Sequence, residues 1–96
     1  VSGRIQGKIV DVTLEGDLVT DLLAEHLQHV GRGSETKITV DEEHETFGLF
    51  GTDHQQPPMT LVAILEPSGS LRLHLVSDSA AMMLGVRAGA SVEVSW

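Results

Sequence analysis

The chain has 96 residues, 41% of them apolar, and a formal net charge of −8. That is enough for one domain with one modest core, and it excludes a disordered chain. Six scattered cations (Arg4, Lys8, Arg32, Lys37, Arg72 and Arg87) cannot clamp a phosphate backbone, there is no cysteine, and no apolar run approaches the ~20 residues of a membrane span. Nucleic acid and membrane are therefore set aside as partners, and no disulfide or thiolate chemistry is available. The start at Val1 rather than Met reads as a fragment or remnant of a longer protein, with the cytoplasm favoured as its location. Phe47, Phe50 and Trp96 are the only aromatics, so the core must be aliphatic.

In chain order, Ile5 to Leu14 reads as a strand in which Val10, Val12 and Leu14 alternate with polar residues. Ile5, Gly7 and Ile9 hold the opposite parity, which predicts a face switch or bulge near Ile9. Glu15-Gly16-Asp17 is a turn with Gly16 at positive φ. Leu18 and Val19 form a short return strand. From Asp21 to Val30, Leu22, Leu23, Leu27 and Val30 fall on one helical stripe, capped by Thr20 or Asp21 and stopped by Gly31 and Gly33. Thr36 to Val40 is a strand with Ile38 and Val40 inward, Asp41 to Glu45 an acidic loop, and Thr46 to Phe50 another short strand. A surface loop follows at Thr52 to Pro58, because its paired prolines cannot donate to a ladder. Met59 to Leu65 is apolar on both parities apart from Thr60 and reads as the most buried strand.

The last third is the most regular part of the chain. A turn at Pro67-Ser68-Gly69 opens a strand with Leu71, Leu73 and Leu75 on one face. A helical turn at Ser79 to Leu84 stops at Gly85, and Ala88-Gly89 feeds a final strand with Val92, Val94 and Trp96 on one face. Six or seven short strands with one or two short helices predict a mainly β fold. Such strands hide their edges by closing, so the expected architecture is a small closed or nearly closed antiparallel-type barrel.

Two blocks resemble the C-terminal barrel domain of the S-adenosylmethionine hydroxide adenosyltransferases, the family that includes the fluorinase and chlorinase. Gly7 to Leu22 (G-K-I-V-D-V-T-L-E-G-D-L-V-T-D-L) is similar to a family block of the form G-x-V-I-x-I-D-x-F-G-N-L-x-T-N-I. Pro67 to Val94 is similar to one of the form S-F-G-x-L-x-I-A-x-N-x-G-S-A-A-x-x-L-G-x-x-x-G-D-x-V-x-V. The resemblance implies ligand contacts, if any, from Glu15, Asp17, Asp21, Ser68, Ser79 and Ala80. It also implies that the site is degenerate. Glu15 and Ser68 stand where the family has the two phenylalanines that lie against the adenosyl group, and Asp17 stands where it has an asparagine. Thr13, Asp21 and Val76 replace further polar family positions. Stacking on an aromatic is worth ~1–3 kcal/mol per base, so loss of both rings removes most of the purine contact. The family's hydrolytic residues lie in a separate N-terminal domain. S-adenosylmethionine or adenosine is thus expected to bind weakly if at all, with no catalytic residue and no cofactor in this chain.

Other constellations have plainer readings. His26 and His29, with His44 and Glu42 or Glu43, have the donor types of a zinc site, but one solvated helix face shows the same spacing, and no metal is expected. The run Asp41 to Glu45 lacks the alternating oxygens of a calcium loop. Glu15, Asp17 and Asp21 are turn carboxylates without a nucleophile beside them. Arg72 and His74 read as a snorkelling pair on an outer strand face, and Met82, Met83 and Leu84 as plugs for a barrel end. Self-association or a protein partner is expected. A strand apolar on both faces and aromatics at strand ends would form an outer patch unless the helix at Asp21 to Val30 covers it.

Overall fold

A computed structural model of the chain describes residues 3–28, 30–66 and 69–96. Seven strands run antiparallel in one sheet: β1 (Arg4–Val12), β2 (Leu18–Leu23), β3 (Lys37–Val40), β4 (His44–Phe47), β5 (Leu61–Ile64), β6 (Ser70–Leu75) and β7 (Ser91–Ser95). Their spatial order is β4-β3-β7-β1-β2-β6-β5. The sheet bends at β1, which pairs with β7 from Arg4 to Lys8 and with β2 from Ile9 to Val12. The hinge between these halves is a register shift between Ile9 and Asp11, the bulge that the parity switch in the sequence predicts. Val10, within the shift, and Leu14 face solvent while Val12 packs against the core, so the Val10–Val12–Leu14 alternation does not mark one inner face.

The bend brings the edge strands β4 and β5 together into a nearly closed barrel. Thr46 Oγ1 donates to the Leu61 carbonyl at 2.7 Å, Phe50 N donates to Ala63 O, and Leu65 N donates to Phe50 O. The seam thus satisfies edge groups that would otherwise invite pairing with another chain. Inside lie Ile9, Leu18, Ile38, Val40, Leu71, Leu73, Val92 and Val94, all essentially inaccessible. Each contributes about 1.5–3 kcal/mol through burial. On β5, Val62, Ala63 and Ile64 are all buried. Strand β5 is therefore covered on both sides, but it is shorter than the expected Met59–Leu65: Met59 lies outside it, turned out by a positive φ, and is exposed. Phe50 and Trp96 are half-buried, and Phe47 is exposed.

The segment from Asp21 to Val30 differs most from expectation. It is not one helix: β2 continues through Leu23, and only Ala24–Leu27 coils, as a 3-10 helix. Two partners draw the chain into the sheet. Thr20 Oγ1 donates to the Leu71 carbonyl at 2.7 Å, and Asp21 Oδ1 accepts from Lys8 N at 2.9 Å. Gly7 permits this approach, since a Cβ there would strike Leu22 and Asp21. Leu22 points inward and Leu23 outward, as on a strand. Neither Thr20 nor Asp21 caps the helix; the N-cap is Leu23, whose N–H is accepted by His26 Nδ1. Leu27, the last residue of the helix, and Val30 beyond it are buried at this end of the barrel.

The fourth strand is also displaced from the expected Thr46–Phe50 and spans His44–Phe47. The acidic loop is shorter than expected because Asp41 and Glu42 both take positive φ, 54° and 61°, giving a tight hairpin closed by Glu43 N to Val40 O. Two adjacent positive φ values suit the right-handed twist of paired strands. In the last third the expected strands, helical turn and stops hold, though Met82 and Met83 are exposed rather than plugs. Ser79 caps a short helix α1 (Ala80–Leu84), its hydroxyl accepting from Met82 N, and Gly85 ends it at φ 68°. Of the turn at Pro67-Ser68-Gly69, the first two residues lie outside those described.

Candidate functional site

Turn 13–17 is tied at both ends: Asp17 N donates to Thr13 Oγ1 and Thr13 N to Asp17 O. Leu18 enters the core on the next parity, so the Asp17 side chain turns to the outer face of β2, where β6 presents Arg72 and His74. There the Asp17 carboxylate, a residue only 8% exposed, meets both. His74 Nδ1 lies 2.7 Å from Oδ1, and Arg72 Nε 3.5 Å from Oδ2. The first contact is a strong charge-assisted hydrogen bond. The second is an ion pair by distance, but it lies outside hydrogen-bonding geometry, so the buried Arg72 Nε has no directed acceptor.

A carboxylate only accepts, so the short Asp17 contact requires a hydrogen on His74 Nδ1 and leaves Nε2 for another partner. The nearest ring is His54, with centroids 6.1 Å apart and planes inclined by 52°. Its Nδ1 accepts from Gln56 N at 3.2 Å within the loop that covers this wall. That bond places the neutral ring's hydrogen on Nε2, the wrong tautomer for a metal at that nitrogen. Among the described residues no three His, Cys, Asp or Glu side chains are grouped to hold a metal ion. His26 belongs to the 3-10 helix, whereas His44 lies at the opposite barrel end with Nε2 3.1 Å from Leu84 O. His29 lies outside the described residues.

The covering loop is fastened by Thr52 N, which donates to Glu66 Oε1 at 2.8 Å. Bonds from the Thr52 backbone and side chain hold the Glu66 carboxyl below its ordinary value; desolvation works against them, and Arg72 and Arg32 reinforce them.

The residues singled out by resemblance are partly gathered. Ala81 N donates to Gly16 O at 2.9 Å, which seats turn 13–17 on the start of α1. A Cβ on Gly16 would run into Ser79, so Glu15, Asp17, Ser79 and Ala80 share one neighbourhood. Ser79 is occupied as the helix cap and Ala80 is fully buried, while Glu15 is exposed. Asp21 stands apart on β2, bound to the Lys8 backbone, and Ser68 lies outside the described residues. The Asp17–His74 bond joins residues 57 apart in the chain, and nothing in the local pattern of either announces it.

A second feature occupies the same barrel end. Met82 and Met83 do not plug it: they are 84% and 54% exposed, because Gly85 stops the helix after five residues and Ala80 and Val86 already fill the opening. Met59 is 52% exposed and sits across from Met83. Between them is a shallow depression of about 390 Å³, walled also by Leu61, Leu75 and Leu84 and bordered by Glu43 and Glu45. Leu14, at the tip of the neighbouring turn, is fully exposed.

No protein-family model matches the sequence, and no curated protein does. Solved structures do share the fold. An uncharacterized conserved protein from Thermotoga maritima superimposes with a TM-score of 0.75 at 16% identity, over 93% of this chain and 35% of that one. A conserved hypothetical protein from Thermus thermophilus gives 0.72 at 21% identity, over 93% and 34%. This chain therefore spans about a third of the length of these neighbours, and at such identities the likeness shows the fold alone.

Proposed function

We propose that this chain is a non-catalytic β-barrel domain, akin to the C-terminal domain of the S-adenosylmethionine hydroxide adenosyltransferases, that acts in assembly or partner binding. The observation that carries this reading is the α1 end of the barrel. There Leu14, Met59, Met82 and Met83 are left exposed, a larger group of exposed apolar side chains than Leu23 and Phe47 at the other end. Contiguous apolar surface on a small acidic domain is costly to keep in water, and it marks interaction sites. Beyond the hairpin turn at Asp41-Glu42, the other described non-glycine residues with positive φ, Met59 and Ser77, also belong to this end, and at Met59 that backbone turns the side chain outward.

A second reading is one wall of a nucleoside site completed by another domain. The packing of Gly16 against Ser79 and Ala81 favours it. The absence of rings at Glu15 and Ser68 weighs against it. Calorimetric titration of adenosine and S-adenosylmethionine into the isolated chain separates the two. The partner-binding reading expects no saturable heat in the micromolar range and no hydrolysis. A micromolar dissociation constant, worth about 8 kcal/mol, would overturn it in favour of the nucleoside site. Light scattering from low to high micromolar chain in ~150 mM salt, where charges are screened beyond ~8 Å, then separates assembly from docking. A mass rising with concentration identifies self-association; a constant monomer mass ends that version and leaves the docking of a different partner.

A further inference from the structure

We propose that the depression between Met59 and Met83 receives a basic amphipathic helix of a protein partner. This inference rests on the partner-binding reading and gives it a surface and a chemistry. Met59 is set outward by its left-handed backbone, φ 67°, with its N–H fixed to Val76 O at 2.8 Å. Met83 is held by its N–H to Ser79 O at 3.0 Å. The backbones are pinned and the side chains exposed. Thioether chains in that setting are unbranched and polarizable, so they adapt to an entering apolar side chain.

Charge selects the sign of the partner. Glu43 and Glu45 border the depression on either side of His44, whose Nε2 lies 3.1 Å from Leu84 O and 3.9 Å from the Glu43 carboxylate, and the Asp41-Glu42 hairpin tip adjoins them. Lys37 pairs with Glu45 at 3.4 Å, but among the described residues no cation pairs with Asp41 or Glu42. A second copy of this chain, with a formal charge of −8, would bring a like-charged rim against this one. Lys or Arg flanking an apolar stripe would instead be attracted, and the attraction would weaken with salt.

The barrel seam selects the partner's conformation. An added strand needs free backbone groups on β4 or β5. Thr46 Oγ1 already takes the Leu61 carbonyl, and Phe50 bridges Ala63 O and Leu65 N. A helix satisfies its own backbone and offers side chains alone, which a shallow apolar depression accepts.

The test is titration of the isotopically labelled chain, followed by NMR, with a Leu/Lys amphipathic peptide of about 18 residues, long enough to hold helix once docked. A Leu/Glu peptide of the same pattern is the charge control. Saturable shifts at residues 43–45, 59–61 and 83–84 are expected with the Leu/Lys peptide and none with the Leu/Glu peptide. Combined Met59→Ser and Met83→Ser is expected to weaken binding about tenfold, through lost apolar contact. Glu42→Gln with Glu43→Gln should weaken it a few-fold and flatten its salt dependence. Unchanged signals at Leu27 and Val30 verify the fold of each variant.

Equal binding of both peptides, or no binding up to about 1 mM (a free energy near −4 kcal/mol), overturns the inference. Shifts confined to the loop over His74 would likewise overturn it while sparing the broader reading. A doubled mass that the methionine substitutions abolish would name a second copy as the occupant instead. The broader reading fails separately, on tight adenosine binding.

Discussion

The two ends of this barrel cover their large apolar side chains to different degrees; Leu23 and Phe47 are exposed at one, and Leu14, Met59, Met82 and Met83 at the other. At the 3-10 helix end, Leu27, Val30, Leu49 and Leu65 are nearly inaccessible and close the core. At the α1 end the corresponding closure is made by small residues, Ala80 and Val86, and the larger Met82 and Met83 are left outside. The helix ends differ for a local reason. The chain after β2 continues through Leu27 and Val30 across the opening, whereas α1 is cut after five residues by Gly85 in the left-handed region.

This contrast predicts a gradient of mutational cost. Leu27→Ala should be the most damaging, removing about 2–5 kcal/mol of unfolding free energy in urea, because a sealed position leaves a cavity. A loss below about 1 kcal/mol would break the comparison by showing that this end relaxes freely. Gly16→Ala should cost an intermediate ~1–3 kcal/mol. Its φ is 90°, and the new Cβ would meet Ser79 at the junction of turn 13–17 with α1. The same measurement should show the urea midpoint falling with unchanged slope. Met82→Ser should change stability by no more than about 0.5 kcal/mol. A loss well above that would mean Met82 packs as a plug and would erase the difference between the ends.

Much of the architecture was legible because the relevant signals are local. The parity switch at Ile9 marked the bulge on which the sheet bends, and Ser79 with Gly85 bounded α1. Alternation at Leu71, Leu73 and Leu75, and again at Val92 and Val94, identified inner faces that the fold buries completely. The candidate site was legible only in part. Glu15-Gly16-Asp17 and Ser79-Ala80 were flagged by resemblance, and they do meet. The ion-paired cluster was not flagged as a unit, because Arg72 and His74 alternate on β6 like any half-exposed polar pair. Asp17 meanwhile looks like any acidic turn residue.

Sequence alone determined the class of fold, the aliphatic core and the positions where the chain must turn. Those properties follow from period-two patterning and from the few residues that tolerate positive φ or cap a helix. Tertiary structure decided the state of Asp21 to Val30, whose leucines fit a helical stripe but whose backbone stays in the sheet through Leu23, drawn by Leu71 and Lys8, before Ala24–Leu27 coils. It also decided that β5 is covered on both faces and that the methionines of α1 are not. A one-dimensional pattern records which side chains avoid water. Which of them find cover depends on strands far away in the chain: three hairpins are joined into one sheet by the distant pairings β1–β7, β2–β6 and β3–β7.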